Sequence, residues 1–340
     1  MKISISSKIV ILVFSLVLSS TLIVGFLVEA ESKEILVEQA EARLKYETQL
    51  KAQSIQNQIK SLGEDVKYLL GTPPIRGIAR AKANKGIDPK DGSSLKLWKD
   101  RLVTIFKELL RAKGEYVQVR FIGAENNSKE VVRVNRFGNS LVNVRASELQ
   151  SKGDGEFYKE TKTFPPGEVN LSQITLNREN GKIVEPHMPV IRSATPFYYD
   201  SEYHGMLVIN LDARKMLRDF YLSTPKEFTP NLVNSSGDYL VHAVEGKVFG
   251  WDLGKKFSIQ DDFPELDLNM NSDPRQKNVV IRQGDTVLHF VRAYFDSNHP
   301  KRFLGISLST SKKDLLARAN MVRQKSFILV VDEHVEARIS

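Results

Sequence analysis

The chain has 340 residues, 41 % apolar and 26 % charged, the composition of a folded protein with room for one large or two small domains behind its N-terminal segment. It has no cysteine, which excludes thiol nucleophiles, cysteine-ligated zinc, iron–sulfur clusters and disulfides. Its net charge of +8 is concentrated in residues 76–113, where Lys and Arg outnumber Asp and Glu by eleven to four.

Residues 9–28 contain no charged side chain. Twenty helical residues at about 1.5 Å each span roughly 30 Å, the thickness of a bilayer core. Lys2 and Lys8 precede the run, while Glu29, Glu31 and Glu34 follow it. The positive flank predicts a cytoplasmic segment 1–8, a transmembrane helix 9–28 and an extracytoplasmic remainder in an inner (cytoplasmic) membrane protein of single-pass topology. A cleaved signal peptide would have a shorter apolar core and a better small-residue site than Val28-Glu29-Ala30. The basic stretch reads as a solvated helical face or as a surface for anionic ligand, lipid or partner. Nucleic acid is excluded as a partner by this location and by the lack of aromatic interleaving.

Residues 29–72 are predicted to form one long extracytoplasmic helix. Leu36, Ala40 and Leu44 recur every four residues, and Ile55, Ile59, Leu62, Val66 and Leu69 follow a 4-3-4-3 spacing. Gly71-Thr72-Pro73-Pro74 ends it. Such a stripe packs on the following domain, on a twin helix of a second subunit, or on both.

Beyond residue 113 the period changes to 2. Strands are predicted at 116–122 and 130–135 around a turn at 123–127, then at 190–198 and 205–211, followed by a helix from Asp212. The second half repeats the plan: strand, turn, strand over 232–241, a hairpin of 279–282 with 287–294, a strand at 303–308 and a helix at 312–323. GMLVINLDARKMLRDF and RFLGISLSTSKKDLLARA correspond as module ends, with the joint at 224–230.

This order resembles the double Cache sensor domains of bacterial transmembrane receptors, in which two PAS-like modules follow a long N-terminal helix. The stretches that carry the resemblance are YVQVRFIG, EVVRVNR, PGEVNLSQITLNRENGKIVEPHMPVIRSATPFYY, GMLVINLD, SSGDYLVHA, FGWDLGKKFSIQDDFPEL and FLGISLS, over residues 30–323. The resemblance implies an α+β fold, with a membrane-distal Cache module at 73–223, a membrane-proximal one at 224–311 and an exit helix at 312–326. Family members of this kind belong to histidine kinases, diguanylate cyclases and chemoreceptors, and the distal module usually holds the ligand.

No catalytic constellation is visible. The six histidines lack metal-ligand spacing, and there is no nucleophile elbow or phosphate loop. Gly153-Asp154-Gly155-Glu156-Phe157 resembles a GGDEF signature only superficially and reads as a turn leading into a short helix. Asp261-Asp262 lacks calcium-loop spacing and reads as a helix cap or a loop. Neither a metal nor a cofactor is expected. Ligand-binding candidates come from strand alternation: Arg120 or Arg192 would bind a carboxylate bidentately, Asn210 shares a face with Asp212, Asp212 would take an ammonium group, and Tyr158 would cover the ligand. The ligand class is amino acid, carboxylate or amine.

Only five apolar residues, 327–331, precede Asp332, too few for a second span, and no kinase or cyclase domain follows. The tail 327–340 therefore reads as a truncated second span or as the end of a free-standing anchored sensor. The expected function is a membrane-anchored, non-enzymatic small-molecule sensor for transmembrane signalling, dimerising through its N-terminal helix. The alternative is a surface-anchored structural or partner-binding protein that uses the long helix and the basic surface and has no small ligand.

Overall fold

The protein, seen in a computed structural model, is described for residues 5–179, 181–268 and 278–314, with the side chains of 5–8, 10, 25, 27–34 and 36 outside that set. The first element is a 66-residue helix, α1 (Ile5–Leu70), about 100 Å long at 1.5 Å per residue. Its first third is apolar and uncovered: the large apolar side chains described from Ile9 to Phe26 are each 50–73 % exposed. Among the described residues no helix is long and apolar enough to cross a membrane. The expected span 9–28 includes Val10, Gly25, Leu27 and Val28, whose side chains lie outside the described set.

Further along α1 the expected stripe is buried. Leu44, Ile55, Ile59, Leu62, Val66 and Leu69 are each no more than 2 % exposed. They pack against both sheets of the same chain, so this stripe needs no twin helix to cover it. Leu36 lies outside the described side chains. The chain turns at Gly71-Thr72 and restarts at once as α2 (Pro73–Ala83), because proline suits a first helical turn, where no N–H is needed. The basic stretch forms α2 and α3 (Leu95–Ala112). The latter is capped by Ser94 and buries Trp98, Leu102, Phe106 and Leu110 at four-residue spacing, leaving its charges on the outer side.

The first sheet is antiparallel. It comprises β1 (Tyr116–Gly123), β2 (Glu130–Phe137), β3 (Ser140–Asn143), β4 (Asn170–Leu171), β5 (Thr175–Leu176), β8 (Pro189–Tyr199) and β9 (Glu202–Asp212). Their order is β3-β2-β1-β9-β8-β4, with β5 also paired to β8. Between β1 and β2 lies a single turn, α4 (Glu125–Ser128). A short helix α5 (Glu156–Lys162) and a small hairpin of β6 (Arg178–Glu179) with β7 (Lys182–Ile183) belong to the covering segment before β8. After β9, α6 (Arg214–Leu222) returns to α1.

The second sheet is built from β10 (Thr229–Val233), β11 (Tyr239–Val241), β12 (Asn278–Gln283), β13 (Thr286–Tyr294) and β14 (Phe303–Ser311), in the order β11-β10-β14-β13-β12. A one-turn helix, α7 (Ile259–Asp262), closes with a capping box between Ser258 and Asp261, so the Asp261-Asp262 pair is indeed at a helix cap. In both sheets the first strand lies between the second and the last, so β9 and β14, the two segments matched in sequence, hold equivalent positions. Three residues of the expected exit helix, 312–314, are described. The rest of it, and the tail 327–340, lie outside the described residues.

Candidate ligand-binding site

Strand alternation divides the first sheet into a face that packs on α1 and α3 and an opposite face with two halves. Gln118 and Arg120 of β1 stand opposite Asn135 and Arg133 of β2 and beside Asn210 and Val208 of β9, and Arg192 of β8 pairs with Asn210. These residues form a polar half. Ile122, Ala194, Met206 and Val208, covered by Phe157, Tyr158 and Tyr203, form an apolar half. Arg120 lies at the border, 5.6 Å from the Tyr158 ring centre.

The polar half is densely hydrogen-bonded. Arg120, 2 % exposed, reaches Glu130 at 3.4 Å and Asn210 at 3.1 Å, while its Nε has no acceptor among the described residues. Arg133 contacts Glu130 at 3.5 Å, Glu179 at 3.0 Å and Asn135 at 2.9 Å. The Gln118 amide donates to Asn135 at 3.0 Å, and its carbonyl accepts from Asn210 at 3.2 Å. Arg192 is largely buried and donates to Thr175 at 3.2 Å. Burial lowers its pKa, reinforced by the nearby charges of Arg120 and Arg178. Glu179 is held below its ordinary value: burial opposes this, but Arg133, Lys152 and Arg120 outweigh it. A cleft of about 430 Å³ opens beside this half, lined by Gln118, Arg133, Asn135, Glu179 and Asn210 and by the charged Arg136, Glu185 and Arg214, while Arg120, Tyr158 and Arg192 lie outside its lining; its volume is in the usual range for small-molecule sites.

The cover is positioned by an unusual turn. Asn126, Asn127 and Ser128 have φ of 52°, 54° and 54°, a region that asparagine tolerates better than most residues. Their carbonyls accept from Ser151, Gly153 and Lys152. A Cβ at Gly153 would sit 2.1 Å from the Asn127 side chain, so this close approach requires glycine. The GDGEF stretch is thus a turn that leads into α5, as expected. It fixes Gln150 and Lys152 over the sheet and starts the helix bearing Phe157 and Tyr158.

Four of the five residues singled out in the sequence, Arg120, Tyr158, Arg192 and Asn210, therefore meet at one place. Asp212 does not join them. It is bound by Arg214 at 2.5–3.0 Å and lines a separate cleft with Gln58, Ser61 and Tyr116. Glu130, Arg133, Asn135, Lys152 and Glu179 were missed. The alternation in β2 could have revealed Arg133 and Asn135, which are two residues apart, but not Glu130. A one-residue irregularity in the β1–β2 register, between Phe121 and Ile122, hides the period. Among the described residues no group of His, Asp or Glu could hold a metal ion.

The corresponding place in the second sheet is filled. With GMLVINLD laid on RFLGISLS, the β10–β14 pair Val233–Gly305 corresponds to Arg120–Val208 of the first sheet, and Phe290–Ser307 to Arg192–Asn210. Phe290 and Val233 close over Gly305 and pack with Tyr239, Ile259, Leu266 and Leu288.

Comparison with known proteins agrees with this architecture. A family profile described as the sensor domain of bacterial histidine kinases matches residues 94–301, more than half of the chain. The extracellular domain of a histidine kinase, vpHK1S-Z8, superposes with a TM-score of 0.62 at 20 % identity, covering 85 % of this chain and 96 % of that one. A sensory box/GGDEF-family domain from Vibrio parahaemolyticus gives 0.62 at 20 % identity, covering 84 % and 99 %. The periplasmic sensory domain of the Campylobacter jejuni chemoreceptor Tlp1 gives 0.57 at 12 % identity, covering 82 % and 98 %. No curated protein matches the sequence significantly. The fold is that of Cache-like sensor domains, and the chain belongs to the bacterial histidine kinase sensor-domain family.

Proposed function

We propose that this chain is the extracytoplasmic, membrane-anchored part of a receptor, and that it senses a small molecule bearing an anionic group in the first module. The observation that carries the reading is Arg120: a guanidinium almost fully buried, with its Nε unpaired among the described residues, at the border of a polar and an apolar half-site. Burying such a group without a full set of partners is costly, and sites for amphiphilic small molecules have this composition. The partner-binding alternative calls for a first module packed like the second, with Phe and Val in place of Arg192 and Arg120.

Two further parts of the proposal concern placement. The uncovered apolar run of α1 fits an anchor in a bilayer, with both modules outside, the first membrane-distal (73–223) and the second membrane-proximal (224–311). Ile35, Tyr46 and Leu50 are 47–59 % exposed, and at 3.6 residues per turn they share the side of α1 opposite its buried stripe. This strip would meet its counterpart in a homodimer, and ligand binding would shift the two helices between alternative packings. Chemoreceptor Tlp3, of the same fold, has been solved in complex with 4-methylisoleucine. The sensor family is a sensing unit rather than a catalytic one, so any kinase or cyclase output would lie in a different domain.

The test is a thermal-shift screen of the full chain in detergent against amino acids, carboxylates, amines and nucleobases. A ligand at a hundred times its dissociation constant adds roughly 2.7 kcal/mol, enough to move the melting point visibly. A carboxylate-bearing hit that is lost on Arg120→Gln is the expected result. A screen with no shift, or a shift indifferent to that substitution, would overturn the reading.

A further inference from the structure

We infer that His299 makes the junction between the two modules a proton sensor: as an imidazolium it ties the cover of the first module to the second, and as a neutral imidazole it lets go. This needs no ligand at the first sheet, so it can fail while the small-molecule reading stands, and the reverse.

The warrant is where the two ring nitrogens lie. Nε2 is 2.6 Å from Glu160 of α5, in the first module, and Nδ1 is 2.8 Å from Asp296, in the segment between β13 and β14 of the second. A carboxylate oxygen only accepts, so both contacts are hydrogen bonds only when both nitrogens carry a hydrogen, which a neutral imidazole cannot provide. The Phe164 ring stacks on the imidazole at 5.6 Å. Glu160 is held below its ordinary value: burial opposes this, but the Asn170 amide and the charges of Arg302 and His299 outweigh it.

The charges balance only in the protonated state. Arg302 reaches the same two carboxylates, Asp296 at 3.1 Å and Glu160 at 3.4 Å. Two anions thus face two cations when His299 is charged, and one when it is not. Glu168 and the α1 residues Lys60, Glu64 and Lys67 line a neighbouring cleft of about 300 Å³ with Asp296, and none of them is an ion-pair partner of the ring among the described residues.

A neutral ring has one N–H for two carboxylates, and its other nitrogen then turns a lone pair toward an anionic oxygen. Asp296 is not the contact that yields. It is buried, three residues away on the same segment, and also accepts from Arg302 and from the Asn298 backbone N–H at 3.0 Å. Glu160 is 31 % exposed and can turn to water. The contact that opens is therefore the one between modules, and it frees α5, the helix that bears Tyr158. Histidine changes charge between about pH 5 and pH 8, so the tie is present at the acid end and lost as pH rises.

Hydrogen exchange of the full chain in detergent, at about pH 5.5 and about pH 8 and corrected for the intrinsic rate, tests this. Protection over residues 156–164 should fall at least about fivefold from the first pH to the second. His299→Gln should show the low protection at both, and the permanently charged His299→Lys the high one. Glu160→Gln removes the anion across the junction and should also abolish the pH response, which keeps the test alive if the His299 variants fail to fold. Equal protection of the unsubstituted chain at both pH values overturns the inference. So does a response of opposite sign, or one that survives in His299→Gln. A response lost in His299→Gln but kept in Glu160→Gln overturns the bridge between modules.

Discussion

Glu130 holds two guanidinium groups at once from a side chain with no solvent exposure. Such a carboxylate adds little when its partners are satisfied, yet its removal strands two buried cations. Glu130→Gln is therefore expected to lower unfolding stability by about 3–5 kcal/mol, read from the urea midpoint. An unshifted midpoint would show that the two arginines find other acceptors. A second residue of interest is His289 of β13, 1 % exposed and without a partner for either ring nitrogen among the described residues. Burial and the nearby Lys45 push it down to about 4. Below about pH 6.5 the unfolded chain binds a proton there that the folded one refuses, so stability should fall as pH drops from about 6.5 to about 4, by up to roughly 3 kcal/mol. His289→Leu should flatten that part of the stability-against-pH curve. An unaltered slope in the variant would assign it to other groups.

At the scale of elements, the two sheets share a strand order but differ in what their inner faces carry. In the second sheet Phe290 lies over Gly305, and a Cβ there would come within 2.4 Å of its ring. Gly305→Ala should displace Phe290 at a cost of about 1–3 kcal/mol, measured by thermal or denaturant unfolding, and leave ligand affinity at the first sheet unchanged. A neutral substitution would mean that the second face has room to spare and is not a filled core. The long helix shows a related division of labour. Its buried stripe from Leu44 to Leu69 is one continuous seam against both sheets, so α1 fixes the modules relative to each other as well as leading away from them. Helical spacing in the sequence predicted the large apolar residues of that seam, because a period of 3.6 needs no tertiary information, but not the buried Thr48, Lys51 and Ala52 between them.

At the scale of the whole molecule, the junction between modules converges on Arg302, just before β14. It donates to Asn170 and Asp296 at 3.1 Å, to the Leu171 carbonyl, and to Glu160 at 3.4 Å. His299 adds contacts to Glu160 at 2.6 Å and to Asp296 at 2.8 Å. Glu160 lies on α5, two residues from Tyr158, so the cover of the first site is tied to the strand that ends the second module. Arg302→Gln should leave ligand affinity within about a factor of three while removing the ligand's effect on the second module, a coupling expected to be about 1–3 kcal/mol. Hydrogen exchange with and without ligand is the measurement. Protection of β13 and β14 that still responds to ligand in the variant would rule this junction out as the link.

The sequence by itself determined the main elements and their order: the apolar run, the seam of α1, the longer period-2 strands and the matched strands β9 and β14 follow from local periodicity and turn chemistry, while the short strands β3 to β7 do not. It also singled out Arg120, Arg192 and Asn210 one strand at a time, since alternation is a local property, but that β1, β8 and β9 bring them to one face was decided by the strand pairing. Only the tertiary structure decided which charges meet. Glu130, Glu179 and Lys152 come to that face from another strand, from a hairpin and from a glycine-pinned turn, and Asp212 is drawn away by a neighbour two residues on. The register between strands and the path of the covering segment set these encounters, and both depend on long-range packing that no window of sequence contains.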